Sequence, residues 1–350
     1  MNERTNRQSR SIAAMAIGAI LCLITTTHVT AEVSLVDSTV FDDVILDLTF
    51  YDGMHGYALA GSGYSLLRTT DGGVNWVAEN IHIGTFYSYK DVATIGETGL
   101  LLGDQAGSIW YRAHPDSTWY PTWSGDNKEI REIEVIDENG WAAITDSLVI
   151  VTRDQGKSYT TYTHEWSANR HFSSLDVTDA NLMHVTFGEF LVLRSTDGGI
   201  TFDQLDGPER GFGILHDVRF VTPDIGWVAS HYPWNLFQTT DGGKTWTYGP
   251  FEYPTSIGIS PEGVSAYVTW SLLRTSNDGG LTWTDSLPLP ELMIDDRTRN
   301  WGHQQVVTTG DRTYLLIASE EANRSIIARI DATSGVENEG AVMPRFLDLD

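Results

Sequence analysis

Apolar and polar residues alternate along this chain with a period of two almost everywhere, and helical periodicity is absent. The clearest stretches are LTFYDGMHGYALAG (48–61), IEVIDENGWAAIT (133–145) and VRFVTPDIGWVAS (218–230). In each, two alternating runs flank a polar–glycine cluster, the pattern of two strands joined by a tight turn. Looser copies stand at 92–104, 175–187 and 257–270. After each hairpin comes a third strand ending in a short box: TTDGGVNW (69–76), TRDQGKSY (152–159), STDGGITF (195–202), TTDGGKTW (239–246) and SNDGGLTW (276–283). A worn copy, RAHPDSTW (112–119), carries His114 where the others have aspartate. The third box position recurs every 37–44 residues. A repeat of that length, holding four strands, predicts a β-propeller.

The boxes mark six blades, roughly 42–82, 88–123, 129–163, 170–206, 212–250 and 253–288. Three strands without a box follow, QQVVTT (304–309), RTYLLIAS (312–319) and RSIIARI (324–330), and one strand, VSLVDSTVF (33–41), precedes the first repeat. Together these four complete a further blade. The expected fold is therefore an all-β, seven-bladed β-propeller over 32–331, its last blade closed by the N-terminal strand. Closure removes the open sheet edges that invite aggregation. Residues 332–350 show no strand pattern and are expected to be a disordered tail or linker.

Within the box the chain must reverse tightly. Asp71, Asp154, Asp197, Asp241 and Asp278 are placed to accept hydrogen bonds from turn amides. The aromatic residue at the eighth position, Trp76, Tyr159, Phe202, Trp246 or Trp283, is placed to fill the gap between neighbouring sheets. These residues are expected to be structural.

On these residues the repeats resemble the Asp-box, or bacterial neuraminidase, repeat. The longer unit, strand–D-x-x-G-W/Y–strand–T-x-D-G-G-x-T-W, resembles the propellers of the photosystem II assembly and stability factors and their exported bacterial relatives. The likeness covers about 42–288. It implies a propeller whose boxes lie on the blade rim, away from any site. It leaves function open, because the same box occurs in sialidases, xyloglucan-cleaving enzymes, sortilin-type receptors and assembly factors. The sialidase pattern also requires an F-R-I-P segment, which does not occur, and an arginine triad. Arg68, Arg194 and Arg274 precede boxes, and Arg131, Arg219 and Arg312 read as lying on inner strands without that family's motif.

The chain's first residues read differently. Arg4, Arg7 and Arg10 lead into an apolar run, Ile12 to Ile24, and Val29-Thr30-Ala31 offers small residues for cleavage. That is the plan of a secretory signal peptide over 1–31, and the run is too short to span a bilayer. The expectation is a secreted chain cleaved near Ala31 and not membrane-embedded. Cys22, the single cysteine, lies inside this leader, so the mature chain relies on no disulfide. The net charge of −25 repels phosphate backbones and argues against a nucleic-acid partner.

Aligned inner strands place Asp47, Asp91, Glu132, Ser174, Asp217, Ser256 and Gln305 at one equivalent position. Asp47, Asp91, Glu132 and Asp217 are candidates for a cation- or basic-peptide-binding ring at the channel mouth. The alternative is that each side chain bonds the backbone of the adjacent blade and serves the fold. Aromatic groups at Tyr111, Trp119, Tyr120 and Trp123, and at Tyr232 and Trp234, are a second binding hint. There is no Gly-rich phosphate loop before a helix, no His-x-x-x-His and no cysteine ligand set, so no cofactor and no metal are expected. The functional expectation is an exported, monomeric, non-catalytic scaffold for a protein or glycan partner. The alternative is a secreted glycoside hydrolase using carboxylates at the channel mouth.

Overall fold

The computed structural model describes residues 32–347, apart from 62–64, 82, 84–87, 126, 168–169, 189, 209–213, 232–233, 253, 260–264, 270–271, 277, 279, 284–286, 289–302, 310–311, 320–322 and 334–344. The expected leader at 1–31 lies outside the described residues. Strand β1 (Glu32–Phe41) is followed by six antiparallel four-stranded sheets in chain order. The first holds β2 (Ile45–Phe50), β3 (Gly56–Ala60), β4 (Ser65–Thr69) and β5 (Val77–Asn80). The second holds β6 (Tyr89–Ile95), β7 (Gly99–Asp104), β8 (Ser108–Arg112) and β9 (Tyr120–Ser124). The third holds β10 (Glu132–Val135), β11 (Trp141–Ile144), β12 (Val149–Thr152) and β13 (Thr160–Tyr162). The fourth holds β14 (Phe172–Val177), β15 (Met183–Phe187), β16 (Leu191–Ser195) and β17 (Asp203–Asp206). The fifth holds β18 (Leu215–Phe220), β19 (Gly226–His231), β20 (Trp234–Thr239) and β21 (Thr247–Glu252). The sixth holds β22 (Pro254–Ile259), β23 (Ser265–Thr269), β24 (Leu272–Ser276) and β25 (Leu287–Pro288).

The remaining sheet is built from both chain ends, in the order β26 (His303–Thr309), β27 (Arg312–Ser319), β28 (Arg324–Thr333), β1 and β29 (Arg345–Leu347). β1 pairs antiparallel with β28 from Glu32↔Thr333 to Phe41↔Ser325, and β29 lies parallel to β1. The fold is thus an all-β propeller whose N-terminal strand is stitched to C-terminal strands. The strand pattern also extends to Thr333 and resumes at 345–347, further than the 331 boundary read from sequence. Neither DAT nor RFL alternates long enough to register as a strand by itself.

Burial explains why these strands form a ring. The second strands β3, β7, β11 and β15 are buried at every residue, because a sheet lies against each of their faces. The outer strand β9 is mostly exposed. Apolar clusters fill the gaps between sheets rather than the centre. Phe41 of β1, Phe50 of β2, Trp76 and Tyr314 of β27 form one such cluster. Phe50 stacks on Tyr314 with ring centroids 3.7 Å apart. The two-ended sheet meets its other neighbour through Val306 N, which donates to Ser256 Oγ at 3.2 Å.

Candidate functional site

Five of the inner strands carry a β-bulge just before the aligned polar position, between Ile45 and Asp47, Tyr89 and Asp91, Phe172 and Ser174, Leu215 and Asp217, and Pro254 and Ser256. A bulge re-aims the following side chain. Here each polar group reaches the backbone of the next sheet. Asp47 Oδ2 accepts from Val92 N (2.7 Å), Asp91 Oδ2 from Ile133 N (3.0 Å) and Glu132 Oε2 from Leu175 N (2.7 Å). Ser174 Oγ accepts from Val218 N (3.4 Å), and Asp217 Oδ2 from Ile257 N (2.8 Å). Ser256 Oγ takes Val306 N, and Gln305 Oε1 takes Leu48 N (2.9 Å). The series returns to its start. The bonds to carboxylates are shorter than those to serine, as charge assistance and a longer reach dictate. All four predicted channel-mouth acids are therefore brought together, each holding its neighbour's backbone. The structural alternative describes this geometry.

The inner strands surround a cavity of about 400 Å³, into which Asp47, Asp91, Glu132, Glu134 and Arg219 project. Arg219 Nη2 donates to Glu132 Oε1 (2.8 Å), and its Nη1 donates to Leu175 O (2.8 Å) and Val218 O (2.9 Å). Glu134 Oε1 and Asp217 Oδ1 lie 3.5 and 3.6 Å from the same Nη1. Burial pushes the Asp47 carboxyl up to about 7, partly offset by the bonds from Val92, Gln305 and Leu48. Burial, then the charges of Asp47, Glu132 and Glu134, push Asp91 well above the usual range. Glu134 is only half-buried by area, yet the channel walls raise it to about 8 against the pull of Arg219. Asp217 is raised by burial, with Arg219 opposing. Burial alone would lower Arg219, but Asp217, Glu132 and Glu134 hold it well above its ordinary value. Burial thus favours the neutral forms of Asp47, Asp91, Glu134 and Asp217 around the Arg219 cation.

Glu134 and the central place of Arg219 escape a single-position alignment. Both stand two residues beyond a ring position, on the same strand face, and the period of two was the signal for them.

The boxes are turn locks. Asp197 Oδ1 accepts from Thr201 N (2.9 Å) and Ser195 Oγ (2.8 Å), and its Oδ2 accepts from Thr201 Oγ1 (2.6 Å). Asp241 repeats this with Thr245 and Thr239, Asp154 with Ser158 and Thr152, Asp278 with Thr282 and Ser276, and Asp71 with Asn75 and Thr69. The hydroxyl bonds from Ser158, Thr201 and Thr245 hold Asp154, Asp197 and Asp241 at about 2. Burial would raise Asp71 and Asp278, but bonds chiefly from Asn75 and Thr282 leave both lowered. The first box residue is a second acceptor that sequence reading missed: Thr69 Oγ1 takes Gly73 N at 2.9 Å. Gly73 sits at φ 84° and Gly199 at φ 88°, angles a Cβ disfavours. Four box aromatics bridge sheets: Tyr159 packs on Trp123 (4.9 Å), Phe202 on Tyr162 (4.7 Å), Trp283 on Trp227 (5.6 Å) and Trp76 on Phe41 (6.1 Å), while Trp246 meets Phe220 of its own sheet (6.3 Å).

Of the arginines considered, Arg312 lies on β27, the second strand of its sheet, and not on an inner strand; its Nη1 donates to Gly53 O across the sheet gap. The aromatic group at 110–123 is largely committed to packing. Arg112 lies over Trp119 at 4.9 Å, Trp123 meets Tyr159, and Tyr120 alone is exposed among the large hydrophobic residues there. Tyr232 and the Trp234 side chain lie outside the described residues.

No family model matches the chain, and no curated protein matches it. Solved structures do. YCF48 bound to D1 peptide is 16% identical with a TM-score of 0.61, covering 87% of this chain and 97% of that one. YCF48 from Cyanidioschyzon merolae is 14% identical with a TM-score of 0.59, covering 83% and 96%. A virginiamycin B lyase from Staphylococcus aureus is 11% identical with a TM-score of 0.65, covering 86% and 100%. At these identities the likeness establishes a shared propeller fold.

Proposed function

We propose that this chain is an exported, non-catalytic binding scaffold that presents the faces of a propeller to a protein partner. The sheet made from both chain ends counts as the seventh blade in this reading, because it donates to and accepts from its two neighbours like any other. The observation that carries the proposal is the inner ring. Its carboxylates each hold a neighbouring backbone N–H, so the side chains best placed for chemistry are engaged in closing the fold. Rigid closure suits a surface that must keep its shape on binding. A fold likeness to YCF48, whose structure holds a D1 peptide, supports a peptide-sized partner. The leader-like residues 1–31 support export, with cleavage near Ala31.

One observation favours a second reading. Asp91 and Glu134 line the same cavity with raised proton affinities, Glu134 at about 8, as a general acid for glycoside hydrolysis requires. Incubating the purified protein with a glycan panel, and in parallel capturing partners from the native envelope fraction, separates the two. The scaffold reading expects a stoichiometric protein partner and no turnover. Turnover abolished by Glu134→Gln would replace it with the hydrolase reading.

A further inference from the structure

The junction between the first and second sheets differs from its counterparts. At three other junctions an arginine of one sheet lies against the turns of the next. Arg312 Nη1 donates to Gly53 O, and Arg153 Nη2 donates to Ala180 O and to Gly198 O (3.3 Å). The Arg194 guanidinium likewise lies against Gly242. Arg68 of β4 holds the position just before the box that Arg194 holds in the fourth sheet. It is diverted instead. Glu79 Oε1 of β5 forms an ion pair with Arg68, 3.2 Å from its Nε, and its Oε2 accepts from Arg112 Nη2 of the second sheet at 2.8 Å. The box that should close this gap is the worn one, with His114-Pro115 in place of the glycine-bearing turn. The result is a pocket of about 200 Å³ on the rim, lined by Tyr51, His55, Tyr57, Arg68, Thr98 and His114 among others.

The chemistry of this pocket runs against that of the whole molecule. The chain carries a net charge of −25, yet the pocket's own lining holds no acidic residue; Glu79, Asp52 and Asp116 meet Arg68, His55 and His114 from outside that lining. Arg68 forms an ion pair with Glu79, and among the described residues no hydrogen bond fixes its Nη1 or Nη2. Asp52 holds His55 by Nδ1 at 2.9 Å, which fixes the ring parallel to Tyr51, 5.2 Å away at 11°. That stack is a flat, rigid wall. Threonine hydroxyls at Thr70 and Thr98 add polar contacts at the lip. A planar fork of free donors beside an aromatic wall recognises a carboxylate on a flat body.

We propose that this rim pocket binds a single ring-sized carboxylate, either an aromatic acid or a hexuronic acid. The ligand's carboxylate pairs with Arg68 and its ring lies along Tyr51 and His55. The site is separate from the channel and does not depend on the scaffold reading. The test titrates the isotope-labelled full chain with benzoate and, separately, glucuronate, following the amides of Thr69, Thr70 and Thr98. The expected result is saturable shifts at those amides with at least one probe below roughly 20 mM, weakened about tenfold or more in Arg68→Gln. Thr70→Trp, which fills the lip from an exposed position, is a second variant expected to abolish binding. Tighter benzoate binding identifies an aromatic acid, and tighter glucuronate binding a sugar acid. Absence of saturation with both probes, or affinity unchanged in the two variants, would overturn the proposal.

Discussion

Replacing Asp47 by alanine tests whether the inner ring is a latch. Asp47 is 8% exposed, and its Oδ2 is the acceptor for Val92 N at 2.7 Å. Its Oδ1 accepts from Leu48 N and Gln305 Nε2, but those two donors also bond each other's residue, Leu48 N to Gln305 Oε1 at 2.9 Å and Gln305 Nε2 to Leu48 O at 3.2 Å. Truncation therefore orphans one buried amide outright. A buried donor left unsatisfied costs about 1–3 kcal/mol. Against this, alanine removes a desolvated carboxyl with a pKa of about 7, a relief that grows as pH rises from about 4 to about 7 and is flat above. The expected loss is thus about 2 kcal/mol near pH 4, where that relief is small, and less at pH 7 and above. Asp47→Asn retains an acceptor for Val92 and should lose roughly half as much near pH 4. Urea unfolding followed by tryptophan fluorescence reads both. An alanine variant as stable as the parent near pH 4 would refute the latch, because a carboxylate placed for ligand binding alone leaves no amide stranded when removed.

Other consequences follow from the same geometry. Trp76→Ala empties the gap between the first sheet and the two-ended sheet, where Trp76 meets Phe41 and Phe50, and should cost about 3–5 kcal/mol in the same unfolding assay. Arg219→Met removes the cation shared by Glu132, Glu134 and Asp217 and should destabilise by about 3 kcal/mol or more at pH 8, with partial recovery at pH 5.5 as the carboxyls protonate. The folded protein holds protons on Asp47 (about 7) and Glu134 (about 8) that the unfolded chain releases near 4. Those two groups therefore make stability fall as pH rises from about 4 to 8, with the contribution flat above that window. The box aspartates held at about 2 act in the opposite sense, and their contribution is lost only as pH falls below about 4. A stability optimum on the acidic side of neutrality, read from thermal midpoints across pH, is the combined expectation.

Much of this was legible because it is periodic. The Asp-Gly-Gly turns at 71, 197 and 241 repeat both a physical need and a spacing, so they set the blade boundaries within a few residues. The orphan strand at 33–41 found its partners by elimination, since three late strands lacked a fourth. The ring positions were visible as aligned polar residues, but their role was not. Whether Asp91 faces a ligand or the amide of Ile133 depends on bulge geometry that one strand's text does not reveal. Glu134 and the central role of Arg219 were hidden by aligning one position per strand rather than two. The rim pocket was illegible for another reason. It arises from Glu79 claiming Arg68 and Arg112 from two sheets at once, a choice among charges that only the assembled structure makes. Gln305, a neutral member of the ring, shows that the repeat demanded an acceptor rather than a charge.

The ring closes through the sheet made from both chain ends, with every inner strand latched to the next. Native-state hydrogen exchange at the latch amides measures it directly. Leu48 and Val306 N–H join the two-ended sheet to its neighbours, while Val92 and Ile133 N–H join ordinary blades. The account predicts that all four exchange only through global unfolding, at one common free energy. Rapid exchange of Leu48 and Val306, with Val92 and Ile133 still protected, would show a ring that stands open at that seam.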